Sequence, residues 1–232
     1  MLPTSHLYPK PIANFSSLGL IDSQLLGLLI DNSDRREAVK HQTVVRDNDP
    51  AIGLIAVLSG AVMLWKTRGD HRQQVVQFLF PGDLAGALEQ DQYIGNARAL
   101  TDCTFFTLQR EKIGTFCDHL PAFQHALFKN VVNDLLAEQK QLVILGSLNA
   151  QERLAAGLLQ IHQQQLAHIH GPADRVWLPM RRTDLASYLG LELATLSRAF
   201  SKLCRSGVIA SLSMTEVVIQ DYRRLQSMAG VT

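Results

Sequence analysis

Met180-Arg-Arg-Thr-Asp-Leu-Ala-Ser-Tyr-Leu-Gly-Leu-Glu-Leu-Ala-Thr-Leu-Ser-Arg-Ala-Phe-Ser-Lys-Leu-Cys204 is the stretch that decides the fold. Thr183-Asp184 opens a helix that must end before Gly190. Ala186 and Gly190 stand four apart, and Leu196 follows six later. That spacing suits a helix-turn-helix: a small residue lets two helices approach, a glycine permits the turn, and an apolar residue buries the second helix. With Leu196, Phe200 and Leu203 turned inward, the opposite face of the second helix carries Ala194, Thr195, Ser197, Arg198, Lys202 and Arg205. Short side chains and long donors of this kind suit base edges and phosphates. Residues 175–206 hold six basic residues against Asp184 and Glu192, a local net +4 in a chain whose total is only +1. A phosphate-contacting surface requires such a concentration. Strands at 208–211 and 216–219, joined by a polar turn, make a winged arrangement with 176–178.

Working back toward the N-terminus, Asn149-Ala-Gln-Glu152 reads as a capping box that starts a helix over 150–165. Leu154, Leu158, Leu159 and Ile161 lie on its inward side. Gly146-Ser-Leu-Asn149 reads as a hinge before it, and 168–174 as a loop after it. Over 120–145 the pattern is helical, with Leu127, Val131, Leu135, Leu142 and Leu145 at spacings of four, four, seven and three. Val132, Leu136 and Val143 add a second apolar stripe, more than one-sided packing needs, which predicts a dimerisation helix. Glu138 beside that stripe would face its own symmetry mate, a mild repulsion. Residues 46–108 read as strands instead, at 51–58, 62–66, 75–80 and 104–108, punctuated by Ser59-Gly60, Arg68-Gly69-Asp70 and Pro81-Gly82-Asp83. With no helical pattern between them, they predict a sandwich or barrel rather than a parallel sheet. Residues 23–29 read as a short helix.

Composition sets the outer bounds. The 232 residues are 47% hydrophobic and 19% charged, which excludes disordered and fibrous classes. No apolar run approaches the ~18 residues of a spanning helix, so no membrane partner is expected. The first fourteen residues, with two prolines and a lysine, do not read as a secretory signal. Three cysteines, Cys103, Cys117 and Cys204, form no close pair, which points to a reducing, cytoplasmic compartment rather than a disulfide framework or a zinc knuckle. An enzyme is not expected: there is no Gly-rich phosphate loop, no H-E-x-x-H and no nucleophile elbow, and Asp47 and Asp49 sit in a turn.

At this point the chain resembles the CRP/FNR superfamily of transcription regulators. Asn149-Ala-Gln-Glu-Arg-Leu-Ala-Ala156, Arg182-Thr-Asp-Leu-Ala-Ser-Tyr-Leu-Gly-Leu191 and Thr195-Leu-Ser-Arg198 resemble its FNR and FixK branch, and Val57-Leu-Ser-Gly60 with Pro81-Gly-Asp83 resembles its N-terminal roll. The resemblance implies an α+β protein: an N-terminal double-stranded β-helix (a cupin-like jelly roll) over 1–119, a dimerisation helix and hinge over 120–147, and a winged helix-turn-helix over 148–232. It implies a homodimer that binds a palindromic site in double-stranded promoter DNA, contacts RNA polymerase and acts as an activator. Ser197 and Arg198 match the family's base-reading pair, and Arg198 would donate bidentately to guanine. Thr183 at a helix N-terminus would hold a phosphate, and Arg182, Thr195 and Lys202 belong to the same surface. Ala194 departs from the family's usual glutamate, which accepts from cytosine; its methyl group suits thymine instead. Glu192, at the turn, is the other acceptor nearby.

The resemblance also bears on the roll. Where cyclic-nucleotide members carry Gly-Glu-Leu and then Arg-Ser or Arg-Thr, this chain has Gly82-Asp83-Leu84 and Tyr93-Ile94, with Arg98 on the following strand. Cyclic nucleotide is therefore not expected. An iron–sulfur cluster is not expected either, because no cysteine precedes Cys103. No cofactor is predicted. The alternative reading is a ligand- or haem-dependent gas or redox sensor whose DNA binding is conditional, with His6, His41, His71, His119 and His125 as candidate haem ligands. Cys103 and Cys117 read as small hydrophobes, and Cys204 as a thiol on the DNA-facing helix beside Lys202 and Arg205.

Overall fold

The computed structural model describes residues 33–67, 69, 72–86, 91–168 and 172–230. The helix expected at 23–29 lies outside them, as do His6 and His71. Contacts divide the chain into two compact units. One runs through Leu135; the other takes Leu136 onward together with Gln73–Val75.

Among the described residues of the first unit, eight strands form two antiparallel sheets. They are β1 (Asp34–Ala38), β2 (Thr43–Val45), β3 (Gly53–Ser59), β4 (Val62–Thr67), β5 (Gln73–Leu79), β6 (Leu84–Gly86), β7 (Asn96–Ala99) and β8 (Cys103–Gln109). One sheet has the order β1-β8-β3-β6 and the other β2-β7-β4-β5. The expected strands correspond to β3, β4, β5 and β8, each of which buries apolar side chains. The other four carry little sequence signal: β1 reads Asp-Arg-Arg-Glu-Ala and buries only Ala38. Its extended form comes from pairing with β8, Arg36 opposite Phe105 and Ala38 opposite Cys103.

The two sheets enclose a core of Ile55, Val57, Val62, Leu79, Ala99 and Phe105. Successive side chains of a strand point to opposite faces, so Leu54 and Leu108 face outward from this core. There they meet Ile113 of helix α1 (Arg110–His119) and Phe123 of helix α2 (Pro121–Ser147). Both faces of β3 are thus covered, and each buried aliphatic side chain stabilises by about 1.5–3 kcal/mol. Helix α1, to which Cys117 belongs, carries little sequence signal for its bounds; Ile113 is its single buried residue, too few for an apolar stripe to show. Cys103 is buried on β8, and burial with the neighbouring Asp102 carboxylate pushes its thiol up to about 11. Burial and Asp118 raise the Cys117 thiol as well. Both are poor sources of thiolate, in keeping with small hydrophobes.

The expected hinge contracts. Gly146 and Ser147 continue α2, and only Leu148 and Asn149 separate it from helix α3 (Ala150–His168). A glycine inside a helix costs only about 1 kcal/mol, so it does not end α2, whereas the cap at Asn149 does start α3. Asn149 Oδ1 accepts from the Gln151 and Glu152 amides at 3.0 and 3.2 Å, and Glu152 Oε2 accepts from the Asn149 amide at 2.9 Å.

In the second unit α3 buries Leu154, Leu158, Leu159 and Ile161 and packs against α5 (Leu193–Arg205), α6 (Tyr222–Met228) and β9 (Arg175–Trp177). Helix α4 (Arg182–Tyr188) precedes α5. Strands β10 (Ile209–Ser211) and β11 (Glu216–Ile219) complete an antiparallel sheet of order β10-β11-β9. The buried Gln165 amide closes the α3–β9 contact: its nitrogen donates to Trp177 O at 2.7 Å and its oxygen accepts from Trp177 N at 2.9 Å.

One titrating group in the first unit has a stability consequence. Asp83 follows the Pro81-Gly82 turn, and its Oδ2 accepts from the Phe80 amide at 2.8 Å. Burial raises its carboxyl from 3.8 to about 7; the Phe80 hydrogen bond opposes the rise and the Asp134 carboxylate adds to it. Between those two values the folded chain holds a proton that the unfolded chain has released. Stability from this group is therefore present at acid pH and is lost as pH climbs through the window toward 7. Urea midpoints of the wild type should fall between pH 5 and pH 7.5 more steeply than those of Asp83→Asn, and parallel slopes would refute this assignment.

Candidate nucleic-acid interface

Helix α4 begins with a buried carboxylate. Asp184 Oδ2 accepts from the Arg181 amide at 3.2 Å and from Arg181 Nε at 3.0 Å, while Oδ1 accepts from Arg181 Nη2 at 2.9 Å. The fork is bidentate, the stronger arrangement for such a pair, and it raises the affinity of Arg181 for its proton. The turn that follows takes Gly190 to φ +61°, and Leu191 N donates to Ala186 O at 2.9 Å. A Cβ at Gly190 would lie 2.9 Å from Leu145 Cδ2 and 3.3 Å from Arg153 Nη1. Arg153, which sequence reading passed over, donates from Nη1 to Gly190 O at 3.2 Å and from Nε to Leu148 O at 2.8 Å. It ties the turn to the start of α3. A Cβ at Gly157 would meet Leu189 Cδ2 at 2.5 Å, so α3 also needs a glycine where α4 ends.

Helix α5 buries Leu196, Ala199, Phe200 and Leu203 and exposes Ala194, Ser197, Arg198, Ser201, Lys202 and Arg205. Thr195 is half-buried, and its hydroxyl accepts from Arg198 Nη2 at 3.1 Å. Thr183 and Glu192 are exposed at the starts of α4 and α5. The six bases counted in the sequence separate into two groups. Arg175 pairs with Glu216 at 2.9 Å, and Arg181 with Asp184. Arg182, expected on the phosphate surface, is half-buried with its guanidinium 4.0 Å from the Phe200 ring centroid, and burial lowers its affinity for the proton. Its aromatic stacking belongs to the α4–α5 packing. Arg198, Lys202 and Arg205 remain exposed, with no carboxylate partner among the described residues. They border a shallow concavity shared with Ser201 and, at the start of α3, with Ala150 and Gln151. Sequence reading missed those last two, although the capping box had already placed the N-terminus of α3.

The stripe on α2 is redistributed too. Val131, Leu135 and Leu142 are exposed, Leu142 at 71%, and Glu138 is exposed beside them. Leu127 instead packs half-buried against the cluster of Leu54, Leu108, Ile113 and Phe123, and Leu145 sits half-buried close to Gly190. Phe128, unremarked in the sequence, is 67% exposed, and Val132, Leu136 and Val143 are exposed with it.

The roll of the first unit holds a cavity of about 280 Å³, lined chiefly by aliphatic side chains such as Ile55, Val62, Leu64 and Leu79. His41, His119 and His125 are exposed and do not line it. Among the described residues no group of three His, Cys, Asp or Glu side chains is placed to hold a metal ion, and no helix is long and apolar enough to cross a membrane.

Comparison with known proteins matches both units. A cyclic nucleotide-binding domain model matches residues 35–119, and a Crp-like helix-turn-helix domain model matches 152–228. The nitrogen fixation regulation protein FixK of Bradyrhizobium diazoefficiens is 32% identical over 189 residues, 82% of this chain and 79% of that protein. The chain belongs to the CRP/FNR family. Transcriptional activator protein FnrL of Cereibacter sphaeroides is 30% identical over 224 residues, 95% of this chain and 90% of its own. The solved structure of FixK2 from Bradyrhizobium japonicum has a TM-score of 0.77 at 26% identity, covering 84% of this chain and 96% of that one. This family member is a transcription regulator with a helix-turn-helix DNA-binding domain, and the relatives it matches are regulators, not enzymes.

Because Gly190 is left-handed and crowded by Leu145, Gly190→Ala should lower the unfolding free energy by about 1–2 kcal/mol. Chemical denaturation of the purified variant checks this. An unchanged midpoint would mean that the turn relaxes freely.

Proposed function

We propose that this regulator is a cytoplasmic homodimer that binds a palindromic promoter site, with one recognition helix from each protomer in successive major grooves about 34 Å apart. The observation that carries this reading is α5, which buries one face completely and holds Ser197, Arg198, Lys202 and Arg205 on the other. Arg198 donates to guanine, with its bond to Thr195 holding the guanidinium in place. Ser197 and Thr195 reach neighbouring base edges or sugar, while Lys202, Arg205 and the Thr183 hydroxyl fix the register on phosphates. Ala194 offers a methyl group where the family's glutamate would accept a hydrogen bond, so the half-site carries thymine contacts rather than the usual cytosine contact at that step. Glu192 stays at the turn.

The exposed apolar row Phe128, Val131, Leu135, Leu142 and its flank supports the dimer, because a monomer in water rarely leaves so much contiguous apolar surface uncovered. Family membership supports activation through contact with RNA polymerase. FnrL bears the name of a transcriptional activator.

Selection from random duplex DNA with the purified protein, in air and with no added ligand, tests the reading. An enriched palindrome is the expected outcome; no enrichment with non-specific binding intact would overturn ligand-free recognition. Arg198→Ala should cost about 1–3 kcal/mol of discrimination per half-site while leaving weak, salt-sensitive binding. Equal losses on specific and random duplexes would remove its base-reading role. Leu135→Asp combined with Leu142→Asp should give a monomer by analytical ultracentrifugation and abolish binding to the palindrome, and a dimer that persists would place the interface elsewhere.

A further inference from the structure

The roll cavity has walls that do not suit the ligand its domain family implies. A cyclic nucleotide brings a phosphodiester charge and a ribose, which need a cation and a hydrogen-bond acceptor inside the site. Among the described residues lining this cavity, Lys66 is the only charged one, and it is exposed. Lys66 lies across Gly95, its Cγ 3.3 Å from where a Cβ of that glycine would stand. Arg98, the nearest cation on β7, alternates with the buried Ala97 and Ala99 and so points to the other face, 5.2 Å over the Trp65 ring. Asp83, at the place of the family's acidic residue, does not line the cavity; its carboxylate is engaged by the Phe80 amide. The buried Tyr93 turns its hydroxyl to the Ile52 amide, which donates to it at 3.2 Å, and the neighbouring Ile94 adds only apolar surface.

Among the described residues, the lining that remains is chiefly aliphatic, with Trp65, Tyr93 and Asn96 beside it and one cation, Lys66, at the rim. Sites that take small molecules are mostly apolar with a few placed polar groups. At about 280 Å³ the cavity lies at the lower end of the ~300–1,000 Å³ of small-molecule sites. We propose that the roll cavity binds a small hydrophobic monocarboxylate, its apolar body among Val62, Leu64 and Leu79 and its carboxylate at Lys66, and does not bind a cyclic nucleotide. This goes beyond the DNA-binding reading and stands or falls without it, because binding is read by heat on the protein alone.

Isothermal titration and thermal unfolding of the full-length protein, with octanoate, octan-1-ol and cyclic AMP as probes, test the proposal. Octanoate should bind and raise the Tm in a concentration-dependent way, octan-1-ol should bind more weakly, and cyclic AMP should do neither at matched concentration. Lys66→Met should weaken octanoate about tenfold and leave octan-1-ol unchanged. Ala85→Phe, inside the cavity, and Val76→Phe, at a 40% exposed position of its lining, should each abolish octanoate binding. Retained far-ultraviolet circular dichroism reports that the variants fold, and Val76→Phe keeps the test open should Ala85→Phe misfold. Cyclic AMP binding as tightly as octanoate would overturn the proposal, as would octanoate binding indifferent to the folded filling variants. Octan-1-ol outbinding octanoate, or an unchanged affinity in Lys66→Met, would overturn the carboxylate assignment.

Discussion

A helix of thirteen residues must be apolar along one side and cationic along the other, and the second unit is organised around meeting both demands on α5. Leu196, Ala199, Phe200 and Leu203 go under water-excluding cover from α3 and α4. That cover has to come close, which is why Gly157 stands where α3 meets Leu189 and Gly190 where the turn passes Leu145. Arg153 and Asp184 then fix the two ends of α4 by hydrogen bonds to backbone and guanidinium. Rigid presentation of the outer face follows from this packing.

The amphipathic pattern of α5, the cap at Asn149 and the alternating strands of the roll were readable in the sequence, because each is a local rule expressed over neighbouring residues. Partnership was not. A count of bases over 175–206 treats Arg175, Arg181 and Arg182 as equals of Arg198, although the fold gives the first two to Glu216 and Asp184 and lays the third on Phe200. The spacing on α2 likewise could not say that Leu127 is claimed by the Leu54–Leu108–Ile113–Phe123 cluster of its own chain while Phe128 stays outside. Strand β1, nearly all charge, is a strand only because β8 offers it an edge.

The two units have followed different constraints. The second unit matches the Crp-like helix-turn-helix domain model over residues 152–228. The roll matches the cyclic nucleotide-binding domain model over residues 35–119, yet the described lining of its cavity is chiefly apolar: Asp83 is folded into its own turn, and the Tyr93 hydroxyl is taken up by the Ile52 amide. Framework and lining are separable because strand pairing is made by backbone groups, which leaves the inward side chains free to change character.

The division of the six arginines and lysines reaches further than geometry. Each phosphate neutralised on duplex DNA releases condensed counterions, and the logarithm of the binding constant falls with the logarithm of salt by about 0.9 per contact. With the guanidinium groups of Arg175, Arg181 and Arg182 already committed within the fold, Arg198, Lys202 and Arg205 are what the six leave to displace ions, one of them spent on a base in the proposed reading. On that reading these six residues give little purchase on the general field of the polyanion. They would give a shallower ionic-strength dependence than six free phosphate contacts would, and occupancy would turn more on how well a site is spelled than on how much DNA lies nearby.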